Sequence, residues 1–504
     1  MSTEVVTSKR VESGIPGLDA VLRGGLPASR FYLLEGPPGT GKTTVSLQFL
    51  RHAATLGEKV LYVTLSETAE ELSDVAASHG WDLDGISLFE FSEVDTVFSP
   101  DHQQTLLHPW ELELGETIKR ITDRIDDLQP TRVVFDSLSE LRLLAQDSLR
   151  YRRQVLALKQ YFATRQVTVL LTDDLTGNEG QSDAHLHSLC HGVISLERLT
   201  LDFGGARRRL QVRKLRGVDY VAGFHDFVVL TGGAQVFPRL IASDHAQLFT
   251  GEAVSSGLQE LDAMMDGGPL RGTSTLFMGP AGSGKTNLAL QFVHAACERG
   301  EPVAMYEFDE RIGTLLRRAE LLGLPLRRHI DAGLLELHQV DPAQISPGQF
   351  DAMVVAQVER RRARMIVVDS LTGYMAAMPQ EQQLILQLHE LLAYLNQQGV
   401  TTLLLNAQQS LVGTMSTSNL NVSYVADAVL LLRFFEHRGR IRKALSIIKN
   451  RGGAHEESIR ELRIDKQGIR IGEVLDAFHG VLTGVPTFEG QAEQLMEDRG
   501  DFAP

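Results

Sequence analysis

The chain has 504 residues, room for roughly two to four domains, and its 43% hydrophobic and 22% charged content is ordinary for a globular protein. A net charge of −15 argues against binding that rests on neutralising the phosphates of a nucleic acid. No apolar run reaches the ~18 residues of a membrane span, and Met1 to Arg10 lack the apolar core of a secretory leader, so neither is expected. The two cysteines, Cys190 and Cys297, stand in different halves and cannot build a cysteine-rich metal site, which fits a reducing cytoplasm.

In chain order, Gly14-Ile-Pro-Gly-Leu-Asp19 and Gly24-Gly25 come first. Phe31 to Glu35 reads as a short buried strand running into the glycine loop Gly36-Pro-Pro-Gly-Thr-Gly-Lys42-Thr43. Thr43 to Leu56 has helical apolar spacing, Lys59 to Leu65 reads as a strand, and Glu67 to His79 as a helix. Ile118 to Leu128 follows as a helix, Arg132 to Asp136 as a strand, Arg152 to Gln166 as a helix and Val167 to Thr172 as a strand. Strands made mostly of Val, Leu and Ile with helices between them predict a parallel sheet covered on both faces.

The second half repeats the first. Gly257 to Asp262 echoes Gly14 to Asp19, and Gly267-Gly268 echoes Gly24-Gly25. Gly279-Pro-Ala-Gly-Ser-Gly-Lys285-Thr286 echoes the glycine loop, with Lys285 standing 243 positions after Lys42 and Asp262 the same 243 after Asp19. Asp369-Ser-Leu echoes Asp136-Ser-Leu, and Lys449-Asn-Arg451-Gly echoes Lys214-Leu-Arg216-Gly. Thr275 to Met278, Val303 to Phe308, Met365 to Asp369 and Thr401 to Leu405 are the matching strands. The expected domains are residues 1–240, residues 241–486 and a loose acidic tail, 487–504.

GxxxxGK[ST] after a strand and before a helix is a phosphate loop: glycines turn backbone N–H groups toward phosphate oxygens, and the helix points its positive end at the same anion. Gly36, Gly39, Thr40, Gly41, Lys42, Thr43 and Thr44 form one candidate nucleotide site, and Gly279, Gly282, Ser283, Gly284, Lys285, Thr286 and Asn287 the other. Lys42 and Lys285 would reach the β- and γ-phosphates of ATP, and Thr43 and Thr286 would give a hydroxyl to Mg²⁺. Asp136 and Asp369, each ending an apolar strand, are the candidate carboxylates for the Mg²⁺ water shell. The loops resemble those of RecA-type ATPases, in which a carboxylate after the next strand orients the attacking water. Glu67 stands there in the first half, and Asp309 and Glu310 compete in the second. The fold class is therefore α/β, as two tandem RecA-like P-loop domains.

The whole motif set resembles the KaiC family over nearly the full chain. The resemblance implies a homohexameric double ring with ATP between neighbouring subunits. Lys214 and Arg216 in the first ring, and Lys449 and Arg451 in the second, would then reach the neighbour's γ-phosphate. It also implies a second-domain autokinase, which puts Ser423 at the phosphorylated serine and Tyr424 where the family has threonine. A phenol carries its oxygen much farther from the backbone, so Ser423 alone is the expected site. Where the family has paired glutamates, this chain has Ser66-Glu67 and Asp309-Glu310. A timing or signalling switch acting on partner proteins is the expected role. A recombinase-like DNA-stimulated motor and an ATP-assembled scaffold are the alternatives, the former drawing on Arg207-Arg208-Arg209 and Arg360-Arg361-Arg362. His185, His187, Cys190 and His191 form one histidine-rich cluster, read as surface or interface residues rather than a metal site.

Overall fold

The structure is a computed structural model and describes residues 9–91, 109–145, 147–174, 182–200, 204–241, 251–376, 381–408, 424–481 and 487–488. The chain divides into two compact units, Met1–Arg239 and Leu240–Pro504.

The sheet of the first unit runs Gly233–Phe237, Phe224–Leu230, Arg207–Leu215, Gly192–Leu199, Phe31–Gly36, Thr168–Asp174, Arg132–Asp136, Val60–Thr64, Ile86–Glu90. From Gly192–Leu199 onward the strands are parallel. The first three form an antiparallel rim. Every residue of Phe31–Gly36, Val60–Thr64 and Arg132–Asp136 is buried, because helices cover both faces. One face packs Ile121, Leu141, Val155 and Phe162 from helices Pro109–Leu128, Leu138–Ala145 and Ser148–Thr164. The helix Lys42–Thr55, which leaves the glycine loop, buries Val45, Leu47, Phe49 and Leu50.

The second unit repeats the plan. Its sheet runs Leu335–Gln339, Val303–Glu307, Met365–Asp369, Thr401–Gln408, Ser274–Pro280, Ala428–His437, Arg440–Asn450, Ile459–Asp465, Gly468–Val474. The strands are parallel up to Ala428–His437 and antiparallel beyond it. Leu288, Phe292 and Leu315 cover one face, from helices Lys285–Glu298 and Ile312–Leu321. Val354, Leu388 and Leu392 cover the other, from Pro347–Arg361 and Glu381–Gln397.

The parallel strands lie where the apolar runs predict them, within about two residues at most ends. Thr168–Asp174 runs two residues past its predicted end, and Thr401–Gln408 three. The antiparallel rims have no counterpart in the sequence reading. Arg207–Leu215 alternates buried and accessible positions and opens with three arginines, so it lacks the apolar signature of the central strands.

Candidate functional site

Both glycine loops sit at the carboxyl end of a central strand. Helices Lys42–Thr55 and Lys285–Glu298 start at Gly41 and Gly284, whose φ angles of 107° and 110° belong to the left-handed region. Such angles suit glycine alone, and a Cβ at Gly284 would also stand 2.3 Å from Ile464 Cδ1. No side chain caps either helix, so the first-turn amides remain open to an anion. Lys42 Nζ donates to the carbonyls of Gly36 (2.7 Å) and Pro37 (3.2 Å), and Lys285 Nζ to those of Gly279 (2.8 Å) and Pro280 (2.9 Å). Each ammonium therefore lies curled into the loop that a polyphosphate would fill. Thr40 Oγ1 closes its own loop on Pro37 O at 2.8 Å, and the Ser283 hydroxyl is buried without a partner. The Thr44 hydroxyl turns away to His79 Nε2, 3.2 Å off, and Asn287 is half-buried.

The two loops differ in charge. Lys42 also lies 2.6 Å from Asp174 Oδ1, whereas burial pushes Lys285 down to about 8, opposed by Asp369. Asp174 escaped the sequence reading because the matching strand of the second unit carries Asn406-Ala407, so the repeat marks no acid there.

Asp136 and Asp369 end equivalent strands beside the loops, and burial raises both above the ordinary aspartate value. In the second unit Thr286 Oγ1 donates to Asp369 Oδ2 at 2.6 Å, joining the two expected Mg²⁺ ligands. In the first unit they stand apart: Asp136 accepts from the Tyr62 hydroxyl and from Thr172 Oγ1, and Thr43 Oγ1 faces Glu67 Oε1 at 3.4 Å. Glu67 lies in the turn before helix Ala69–Ser78, not in its first turn. Its other oxygen is buried and unpartnered, and burial, then Asp136, raises its carboxyl to about 7.

The two second-unit candidates are both engaged. Asp309 Oδ2 accepts from Ser370 Oγ at 2.5 Å, and Glu310 pairs with Arg318 at 2.6 Å. A third acid, absent from the sequence reading, lies deeper. Glu307 is only 1% exposed, stands opposite Asp369 on the adjoining strand, and has an Oε1 with no partner. Strand pleating aims it, with Met305 and Val367, at the face that carries the loop helix. Burial, then Asp369, raises it to about 9. The first unit has Thr64 at this place, bonded to the backbone of Glu67, so again the repeat gave no signal.

The Lys-x-Arg pairs lie away from their own loops. Lys214 stands opposite Val193, which stands opposite Leu33, three residues short of Gly36. That is ~10 Å back along the strand and two strands across. Lys449 is level with Leu276 in the same way. Lys214 and Lys449 donate to the carbonyls of His187 and Ala426, Arg216 donates to Ser188 O at 2.9 Å, and Arg216 and Arg451 are exposed.

Ser423 lies outside the described residues, and Tyr424 next to it is 53% exposed. The histidine cluster does not gather: His187 Nε2 meets Glu35 at 2.7 Å, while Phe31 N donates to His191 Nδ1 at 3.2 Å. Nothing is described of the His185 side chain, and both cysteines are free and buried. In the arginine runs, Arg209 pairs with Glu197 at 2.7 Å and Arg361 with Glu336. Among the described residues no helix is long and apolar enough to cross a membrane.

The open helix starts, the curled lysines and the orphaned oxygens of Ser283 and Glu67 fit a magnesium–nucleotide polyphosphate. Lys42, Lys285 and the loop amides would hold the phosphates, and Thr43, Asp136, Thr286 and Asp369 the ion.

A sequence profile of the KaiC ATPase family matches residues 11–241 and 254–476. The circadian clock protein KaiC3 of Synechocystis sp. is 27% identical over 491 residues, covering 96% of each chain. The circadian clock oscillator protein KaiC of Acaryochloris marina is 27% identical, covering 95% of this chain and 91% of its own. That of Prochlorococcus marinus is 28% identical, covering 95% and 94%. Two tandem P-loop units with matched strand-end carboxylates, spanned twice by this profile, make the chain a member of the KaiC ATPase family.

Proposed function

We propose that the protein hydrolyses ATP with Mg²⁺ in both units, as a homohexameric double ring with nucleotides at subunit borders, and that its second unit phosphorylates Ser423 as a signalling or timing switch. The observation that carries the reading is the pair of glycine loops, each with a curled lysine and an aspartate at hand, Asp174 beside Lys42 in the first unit and Asp369 beside Thr286 in the second. Glu67 is the general base of the first unit, since its carboxylate faces Thr43 and keeps one buried oxygen free. In the second unit the same part falls to Asp309 or Glu310. Lys214, Arg216, Lys449 and Arg451 serve the neighbouring subunit, because each pair lies at the wrong end of its sheet for its own loop. A cation brought to the γ-phosphate offsets charge that develops in the transition state. Autophosphorylation moves the γ-phosphoryl group from ATP to the Ser423 hydroxyl, leaving ADP and releasing the hydroxyl proton.

Incubation with γ-labelled ATP tests the kinase part. Label retained on the chain and lost in Ser423→Ala is the expected result; label unchanged in that variant rejects Ser423. Lys285→Ala should abolish labelling while leaving assembly intact, and Lys42→Ala should block assembly, both read by size-exclusion chromatography with light scattering.

A further inference from the structure

Outside the nucleotide sites, the second unit gathers a set of donors that ATP chemistry does not use. His294 and Glu298 are one turn apart on the helix Lys285–Glu298, so they share a face. His329, on the short helix Leu326–Asp331, meets them from the side. His294 Nδ1 lies 3.2 Å from His329 Nε2, which lies 3.0 Å from Glu298 Oε1; that oxygen is 3.9 Å from His294 Nδ1.

The three atoms all lie within 4.8 Å of one another. Ligands of one zinc-sized ion at ~2.0–2.2 Å stand about 3–3.6 Å from one another, close to these separations. His329 is 95% buried by residue, 5% exposed, while the Glu298 side chain is 47% exposed, so the cluster is walled by protein and open on the carboxylate side. One other group competes: Arg328, on an exposed side chain, donates to the same Glu298 oxygen. The first unit lacks the set. Arg51 stands where His294 does and Thr55 where Glu298 does, and Arg51 lies over the Trp81 ring instead.

We propose that His294, Glu298 and His329 form a binding site for a divalent transition-metal ion of the zinc class, distinct from the Mg²⁺ at the nucleotide. Two imidazoles and one carboxylate are the donor set such an ion selects over Mg²⁺, with its remaining position left to solvent. The ion takes the place of the proton between the two facing nitrogens, which moves to the other nitrogen of the ring that carried it, and displaces Arg328 from Glu298. It thereby pins the helix Leu326–Asp331 to the far end of the helix whose other end is the second glycine loop.

The test titrates tag-free, full-length protein with Co²⁺ in excess Mg²⁺ and ATP, following visible absorption, and then with Zn²⁺ by calorimetry. One equivalent should bind per chain in the wild type. Glu298→Gln, at an exposed position, should weaken binding by roughly tenfold or more, and His294→Asn with His329→Asn should remove it. Arg328→Ala should tighten it, and Zn²⁺ should raise the melting temperature of wild type but not of the double variant. Circular dichroism checks that each variant is folded. No saturable binding in the folded wild type, or binding unchanged in Glu298→Gln and the double variant, overturns the proposal.

Discussion

A carboxyl buried beside another carboxylate keeps its proton, and Glu307 is in that position against Asp369. Its folded value of about 9 lies above the ordinary 4.5, so the folded state binds the proton more tightly. Stability from this group is therefore complete below about pH 4.5 and is lost as pH rises toward 9. Glu307→Gln mimics the protonated form. It should stabilise the nucleotide-free protein by ~1–3 kcal/mol at pH 8 and by almost nothing at pH 5, as urea denaturation would measure. If Glu67 is the first-unit base, it acts in the other sense, on turnover: a base must be deprotonated, so a carboxyl that burial raises to about 7 predicts first-unit hydrolysis climbing between pH 6 and pH 8. In a Lys285→Ala background, Glu67→Gln should lower ATP turnover by ~10²–10⁴-fold and flatten that rise. At this scale the sequence revealed what the duplication repeats: Lys42 with Lys285, and Asp136 with Asp369. It concealed Asp174 and Glu307, because each acid has a neutral residue as its counterpart in the other unit.

Helix Ala69–Ser78 begins two residues after Glu67, so its start fixes where that carboxylate points. Thr68 caps it: its hydroxyl accepts from Glu71 N, and Thr68 N donates to the Glu71 carboxylate, a full capping box. Thr68→Ala should cost about 1 kcal/mol of stability and also slow first-unit turnover by loosening Glu67. Loss of stability with unchanged turnover would separate the cap from the catalytic turn. The second unit starts the equivalent helix on Arg311 with no side-chain cap, and its turn is tied by Glu310–Arg318 and Asp309–Ser370 instead. Element by element, the central strands were legible because burial on both faces leaves an unbroken apolar run. The rims were not, since Arg207–Leu215 interleaves accessible charged residues with buried ones, and Arg440–Asn450 begins and ends with charged or polar residues around a short buried stretch.

In each unit the loop and the Lys-x-Arg pair occupy opposite ends of the sheet, an arrangement that spacing along the sequence cannot reveal. If Arg451 serves a neighbour, mixing Lys285→Ala with Arg451→Ala subunits regenerates whole sites at about a quarter of the borders, as head-to-tail contacts require. Each variant alone should be inactive in the second ring, and the mixture should recover that fraction of wild-type labelling. No recovery after verified subunit exchange would show that Arg451 acts within its own chain. The separation has a further consequence. If the pairs serve neighbours, a solitary copy owns every part of the reaction yet cannot bring the parts to one place, and its specific activity becomes a count of how many copies have met. Dilution alone would silence it, and abundance in the cell would set its output before any regulator acts.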